Sequence, residues 1–184
     1  MKWTRKILFI IILALLPLGY ASAFQHEPSG FRDLQFGMNL VDVLKTHRIQ
    51  SDGIDRLSNS KRYLISMPGE SMHFRDIPIR SNTVTGIFWK NQLHTIQIIF
   101  PAATREERDA LYEDLLGILA TRFGNYGDVR DEKGDDEKSV LWFGEKTNVE
   151  IRKVTGKDTY SVEISFQDQL IHKQAAEDAS AQDF

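Results

Sequence analysis

The chain has 184 residues, with 23 Lys+Arg against 26 Asp+Glu, a formal net charge of −3 and no cysteine. Lack of cysteine excludes disulfides, thiolate metal sites, thiol nucleophiles and redox dithiols. The acidic balance, with no Lys/Arg stripe interleaved with aromatics, argues against nucleic acid as a partner.

The opening MKWTRKILFIIILALLPLGYASA sets Lys2, Arg5 and Lys6 before an apolar run from Ile7 to Leu18 and ends in Ala21-Ser22-Ala23. Charge, apolar core and small-residue site are the three parts of a secretory signal, so residues 1–23 are expected to be removed on export. The run is shorter than the roughly 20 apolar residues that cross a bilayer. A periplasmic or extracellular protein with no stable membrane anchor after cleavage is therefore expected. Cleavage after Ala23 would leave Phe24-Gln25-His26 at the new terminus. An α-amine, two deprotonatable amides and the imidazole of a third-position His offer four nitrogens in a plane, a geometry suited to Cu(II) or Ni(II).

In chain order, FRDLQFG alternates and reads as a short strand, and Asn39 is placed to cap a short helix carrying Leu40, Val43, Leu44 and His47. Residues 50–61, rich in Ser, Asp, Asn and Gly, read as a loop. TVTGIFWKNQLHTIQIIF reads as a hairpin. A two-residue turn at Asn91-Gln92 would face Trp89 to His94, Ile87 to Ile96, Thr85 to Ile98 and Thr83 to Phe100.

Thr104-Arg105-Glu106-Glu107 is a capping box. It opens a long helix with Leu111, Leu115, Ile118, Leu119 and Phe123 on one side and Gly124 as its stop. After the acidic link DVRDEKGDDEK come three strands, SVLWFG, NVEIRKV and TYSVEISF. An α+β fold follows: an antiparallel sheet with one wet face, helices packed on the other, and two helix-plus-meander units at 31–100 and 104–168 within a domain spanning 24–168. Residues 169–184 read as a polar tail, either a frayed helix or disordered.

That duplicated layout, with GFRDLQFGMNLVDVL, LATRFG and LWF as its landmarks, resembles small secreted bacterial α+β proteins. It is similar to the β-lactamase-inhibitor-protein-like fold shared with small outer-membrane assembly lipoproteins. The resemblance implies a module that binds proteins and is no enzyme, and it carries no functional residue over. The lipid-anchor cysteine of those lipoproteins has no counterpart here.

The chemistry-bearing residues are sparse. Gly69-Glu70-Ser71-Met72-His73 approaches a nucleophile elbow but ends in His where Gly is required, so a surface loop is the better reading. Met67, Met72 and His73 read as core filler before a Cu(I) cluster. The acidic link fails as an EF-hand, with Arg130 and Lys133 where a ligand and a Gly belong. The terminal AQDF could enter a carboxylate-capturing groove, though disorder is preferred.

Trp89, His94 and Trp142 remain as candidate binding residues, two at a hairpin tip and one on a strand beside Phe143. The expected function is an exported, soluble, non-enzymatic module without a cofactor, binding a protein or envelope component. The alternatives are a Cu(II)/Ni(II) binder through Phe24, Gln25 and His26, and an enzyme whose carboxylates are brought together by folding.

Overall fold

A computed structural model describes residues 27–67, 72–74, 77–79, 84–131 and 138–182. Three short pieces precede the main sheet: β1 (Gly30–Phe31) and β2 (Leu34–Gln35), which pair as a hairpin, and helix α1 (Leu40–Thr46). The strand expected over FRDLQFG is thus folded back on itself, because Arg32 takes a positive φ of 56° at the turn. Phe31 stacks on Phe166 and Leu34 is buried. Asn39 caps α1 by accepting from the Val41 N–H.

The main sheet has eight antiparallel strands. They are β3 (Arg48–Asp55), β4 (Ser60–Ser66), β7 (Val84–Trp89), β8 (Gln92–Ala102), β9 (Asp128–Asp131), β10 (Lys138–Phe143), β11 (Thr147–Thr155) and β12 (Tyr160–Asp168), in spatial order β3-β4-β7-β8-β12-β11-β10-β9. Strands β5 (Met72–Phe74) and β6 (Ile77–Ile79) pair separately. Each half of the sheet is a four-strand meander preceded by a helix, α1 for the first and α2 (Arg105–Phe123) for the second. The two meanders join where their last strands, β8 and β12, pair antiparallel.

Two segments read as loop from composition are strands. Residues 50–61 contribute β3, its turn and the start of β4, and the acidic link begins as β9. Both β3 and β9 are the outermost strands of the sheet. An edge strand with two mostly wet faces carries no apolar alternation, and polar side chains there deter pairing with another chain. Residues 132–137 of the link, and the elbow-like stretch through Ser71, lie outside the described residues.

The core lies between the sheet and α1 with α2. On the sheet side, alternate residues of β8 (Ile96, Ile98, Phe100), β12 (Val162, Ile164, Phe166), β11 (Val149, Ile151) and β10 (Val140, Trp142) face it. Helix α2 answers with Tyr112, Leu115, Leu119 and Phe123. The Thr104 half of the expected capping box forms, Thr104 Oγ1 accepting from the Glu107 N–H, while the Glu107 carboxylate reaches one residue further back and accepts from the Ala103 N–H. Gly124 ends it at φ 81°, with its N–H on Ala120 O. Met67 is buried in this core, while the side chains of Met72 and His73 lie outside the described residues.

Residues Gln169–Gln182, within the stretch read as a polar tail, form helix α3. It contacts β7, β8 and β12. Among its contacts is His172, which lies against His94 and lines the sheet face opposite the core. Asp168 Oδ1 accepts from the Ile171 N–H at its start, and Lys90 of the β7–β8 turn pairs with Asp178 at 2.6 Å near its end. Among the described residues, no helix is long and apolar enough to cross a membrane.

Candidate functional site

The β7–β8 hairpin closes differently from the expected register. Lys90 and Asn91, with φ of 47° and 65°, form the two-residue turn, so Trp89 pairs with Gln92 and Phe88 with Leu93. Positive φ at both central positions is the signature of a type I′ turn, whose twist matches the flanking strands, and Asn suits it. The pairing then skips a residue: Ile87 opposes Thr95 and His94 is a bulge. Beyond it Gly86 faces Ile96 and Val84 faces Ile98. Trp89 and His94 are therefore not cross-strand partners, and Thr83 lies outside the described residues.

The bulge decides where His94 points. Without the extra residue, strict alternation could not put both Leu93 and Ile96 in the core. With it they are buried there, while His94 and Thr95 both line the opposite face. The His94 ring is 1% exposed and its Nδ1 bonds Thr95 Oγ1 at 2.9 Å, whereas Nε2 has no protein partner. Helix α3 brings His172 against it, ring centroids 5.5 Å apart, and His172 Nδ1 is also buried without a partner. Burial, followed by the neighbouring His172, pushes the His94 imidazole down to about 4, against the opposing pull of Asp55. Burial also lowers His172, again opposed by Asp55. Both rings are neutral at neutral pH, with lone pairs available.

These imidazoles sit at one end of a cleft of about 190 Å³ on the wet sheet face. Its floor is the outward row of β11 and β12, where Glu150, Arg152, Glu163, Ser165 and Gln167 alternate with core residues. Arg152 Nη2 bonds Glu163 Oε2 across the strands at 2.6 Å. The β3–β4 side supplies Asp55, Leu57 and Arg62. Arg62 Nη2 lies 3.2 Å from Asp52, and its Nε is another buried nitrogen without a partner. Three nitrogens on this cleft, His94 Nε2, His172 Nδ1 and Arg62 Nε, have no protein partner, and because leaving such a group unpaired costs about 1–3 kcal/mol, each is open to a polar atom of water or of a ligand. Among the described residues, no three imidazoles or carboxylates converge as a ready metal cage.

The other candidates fall elsewhere. Trp142 is fully buried, its indole N–H on Gly124 O at 2.9 Å and Phe123 and Tyr126 against its ring. It joins β10 to the end of α2 and cannot offer a contact surface, because alternation turned it inward. Its neighbour Phe143 is the one that remains 46% exposed. Trp89 is half-buried with Lys90 Nζ 4.2 Å over its ring, tied through Lys90 to α3. Phe24, Gln25 and His26 lie outside the described residues. Sequence reasoning found His94 but missed His172, whose only signal was the helical spacing of Ile171 and Ala175 in a stretch dominated by polar residues.

No protein-family model matches this chain, and neither the curated proteins nor the solved structures provide a match.

Proposed function

We propose that this is an exported, non-enzymatic binding module that takes a protein or envelope component on the wet face of its sheet. The observation that carries the reading is the cleft between α3 and the β3–β4 hairpin, with its three unpartnered buried nitrogens. Both arginines of the cleft are held in pairs, Arg152 with Glu163 and Arg62 with Asp52. Paired charges and neutral imidazoles favour hydrogen-bonded recognition over proton transfer. Export rests on the leader formed by Lys2, Arg5, Lys6, the apolar run and Ala21-Ser22-Ala23. The meander following each of α1 and α2 is the layout that resembles β-lactamase-inhibitor-protein-like modules, and it supports the same reading.

Intact mass of protein recovered from the exported fraction should correspond to a chain starting at Phe24. Ser165→Arg, which fills the cleft floor from a half-buried position on the wet sheet face, should abolish co-purification of the partner while leaving the far-UV spectrum unchanged. A partner retained at full yield by a folded Ser165→Arg protein would overturn the assignment.

A further inference from the structure

The His94–His172 pair is more specific than a general polar surface. We infer that these two imidazoles form a binding site for a borderline divalent metal ion, with zinc as its representative. Each ring presents one buried nitrogen with no protein partner, His94 Nε2 and His172 Nδ1. Zn–N bonds of about 2.0–2.1 Å place two tetrahedral ligand nitrogens roughly 3.3 Å apart. Ring centroids 5.5 Å apart suit two imidazoles sharing one such ion.

The surroundings fit a metal ligand in two further respects. The remaining His94 nitrogen is held by Thr95 Oγ1, the outer hydrogen bond that fixes ring orientation at metal-ligating histidines. Asp55 acts electrostatically on both rings and Glu150 stands on the same cleft, while Arg152 and Arg62 are held by Glu163 and Asp52, so a cation there meets negative charge. Both imidazoles are neutral, the state a metal requires. The protein supplies two ligands as it stands, and the open cleft admits the waters that complete the sphere. A nitrogen pair with no thiolate selects zinc, copper or nickel over calcium or magnesium.

The site is distinct from the amino-terminal Phe24-Gln25-His26 motif, which needs a square-planar ion, so zinc is the discriminating probe. Zinc chloride is titrated into the exported protein, with calorimetry and ring-nitrogen NMR as readouts. The expected result is one equivalent bound, with His94 Nε2 and His172 Nδ1 shifting together. His172→Ala, on the outer helix, and His94→Gln should each weaken binding by about tenfold or more, and His26→Ala should leave it unchanged. Amide spectra of the variants establish that they are folded, and the ring shifts of the unsubstituted protein test the site independently of any variant. No saturable zinc binding, ring shifts confined to His26 or His47, or equal shifts from calcium chloride would each overturn the inference.

Discussion

The Glu27 carboxylate accepts the backbone N–H groups of both Lys146 and Thr147, so the amino-terminal end of the described chain caps the β10–β11 turn more than a hundred residues away. Thr147 Oγ1 returns a hydrogen bond to Pro28 O at 2.8 Å. From the other side, the Gln169 N–H bonds Lys146 O, and its side-chain amide bonds Gly144 O and Asn148 Oδ1. Both ends of the domain thus meet at one turn. Hydrogen bonds to a charged acceptor contribute about 1.5–3 kcal/mol, so Glu27→Ala should lower stability by about 2 kcal/mol, measured as a urea midpoint shift at constant slope. Gly144→Ala should lower stability at least as much, because its Cβ would strike both Glu27 Oε1 and the Thr147 backbone carbonyl.

Arg108 is fully buried and Lys153 nearly so, and both reach Asp109 Oδ1, at 2.8 and 3.1 Å. Arg108 also donates to Thr155 and lies over the Tyr160 ring. Burial would raise the Asp109 carboxyl, but Arg108 and Lys153 outweigh it and hold it below the usual carboxylate range. Asp109→Asn leaves two buried cations without their shared anion. Asp109 is itself 37% exposed, so the cost is less than for a fully buried pair, about 2 kcal/mol in thermal or urea unfolding.

Acid should destabilise the fold through His94. The folded pKa is depressed to about 4 from 6.5, so the unfolded chain binds the extra proton. The contribution is complete above pH 6.5 and is lost as pH falls toward 4, amounting to about 3 kcal/mol there. Urea midpoints measured across that range should fall less steeply for His94→Gln than for the unsubstituted protein.

Gly86 faces the core at the crowded centre of β7. A Cβ there would meet Ile65 Cδ1 at 2.7 Å, Phe88 Cε2 at 2.8 Å and Leu93 Cδ1 at 3.2 Å. All three are side-chain ends that can shift, at the expense of the Tyr63–Phe88 edge contact. Gly86→Ala should cost about 1–2 kcal/mol by overpacking and should perturb the Tyr63 and Phe88 ring resonances.

What the sequence made legible follows from how strongly each element is patterned. Helix α2 was readable because Thr104, Glu107 and Gly124 punctuate it and its apolar residues recur at helical spacing. The strands β10 to β12 were readable because one face is core and the other wet, which writes alternation into the chain. Strands β3 and β9 were hidden because an edge strand obeys no such alternation. The site was half legible. A one-residue bulge at His94 shifted the hairpin register, and no local pattern marks a bulge that exists to satisfy both sheet faces. Its partner His172 sits on a helix held by the β7–β8 turn and the sheet, with Ala175 its one fully buried hydrophobic residue. An amphipathic stripe was never written there.

The most direct test of the binding-face account is site-specific photocrosslinking in the exporting cell. A photoreactive residue replaces Gln97, which lines the cleft on the wet sheet face, or Glu113, exposed on α2 at the opposite side of the domain. The account predicts a discrete crosslinked product from position 97 that disappears in Ser165→Arg and is absent from position 113. Equal products from both positions, or a product from position 113 alone, would contradict it.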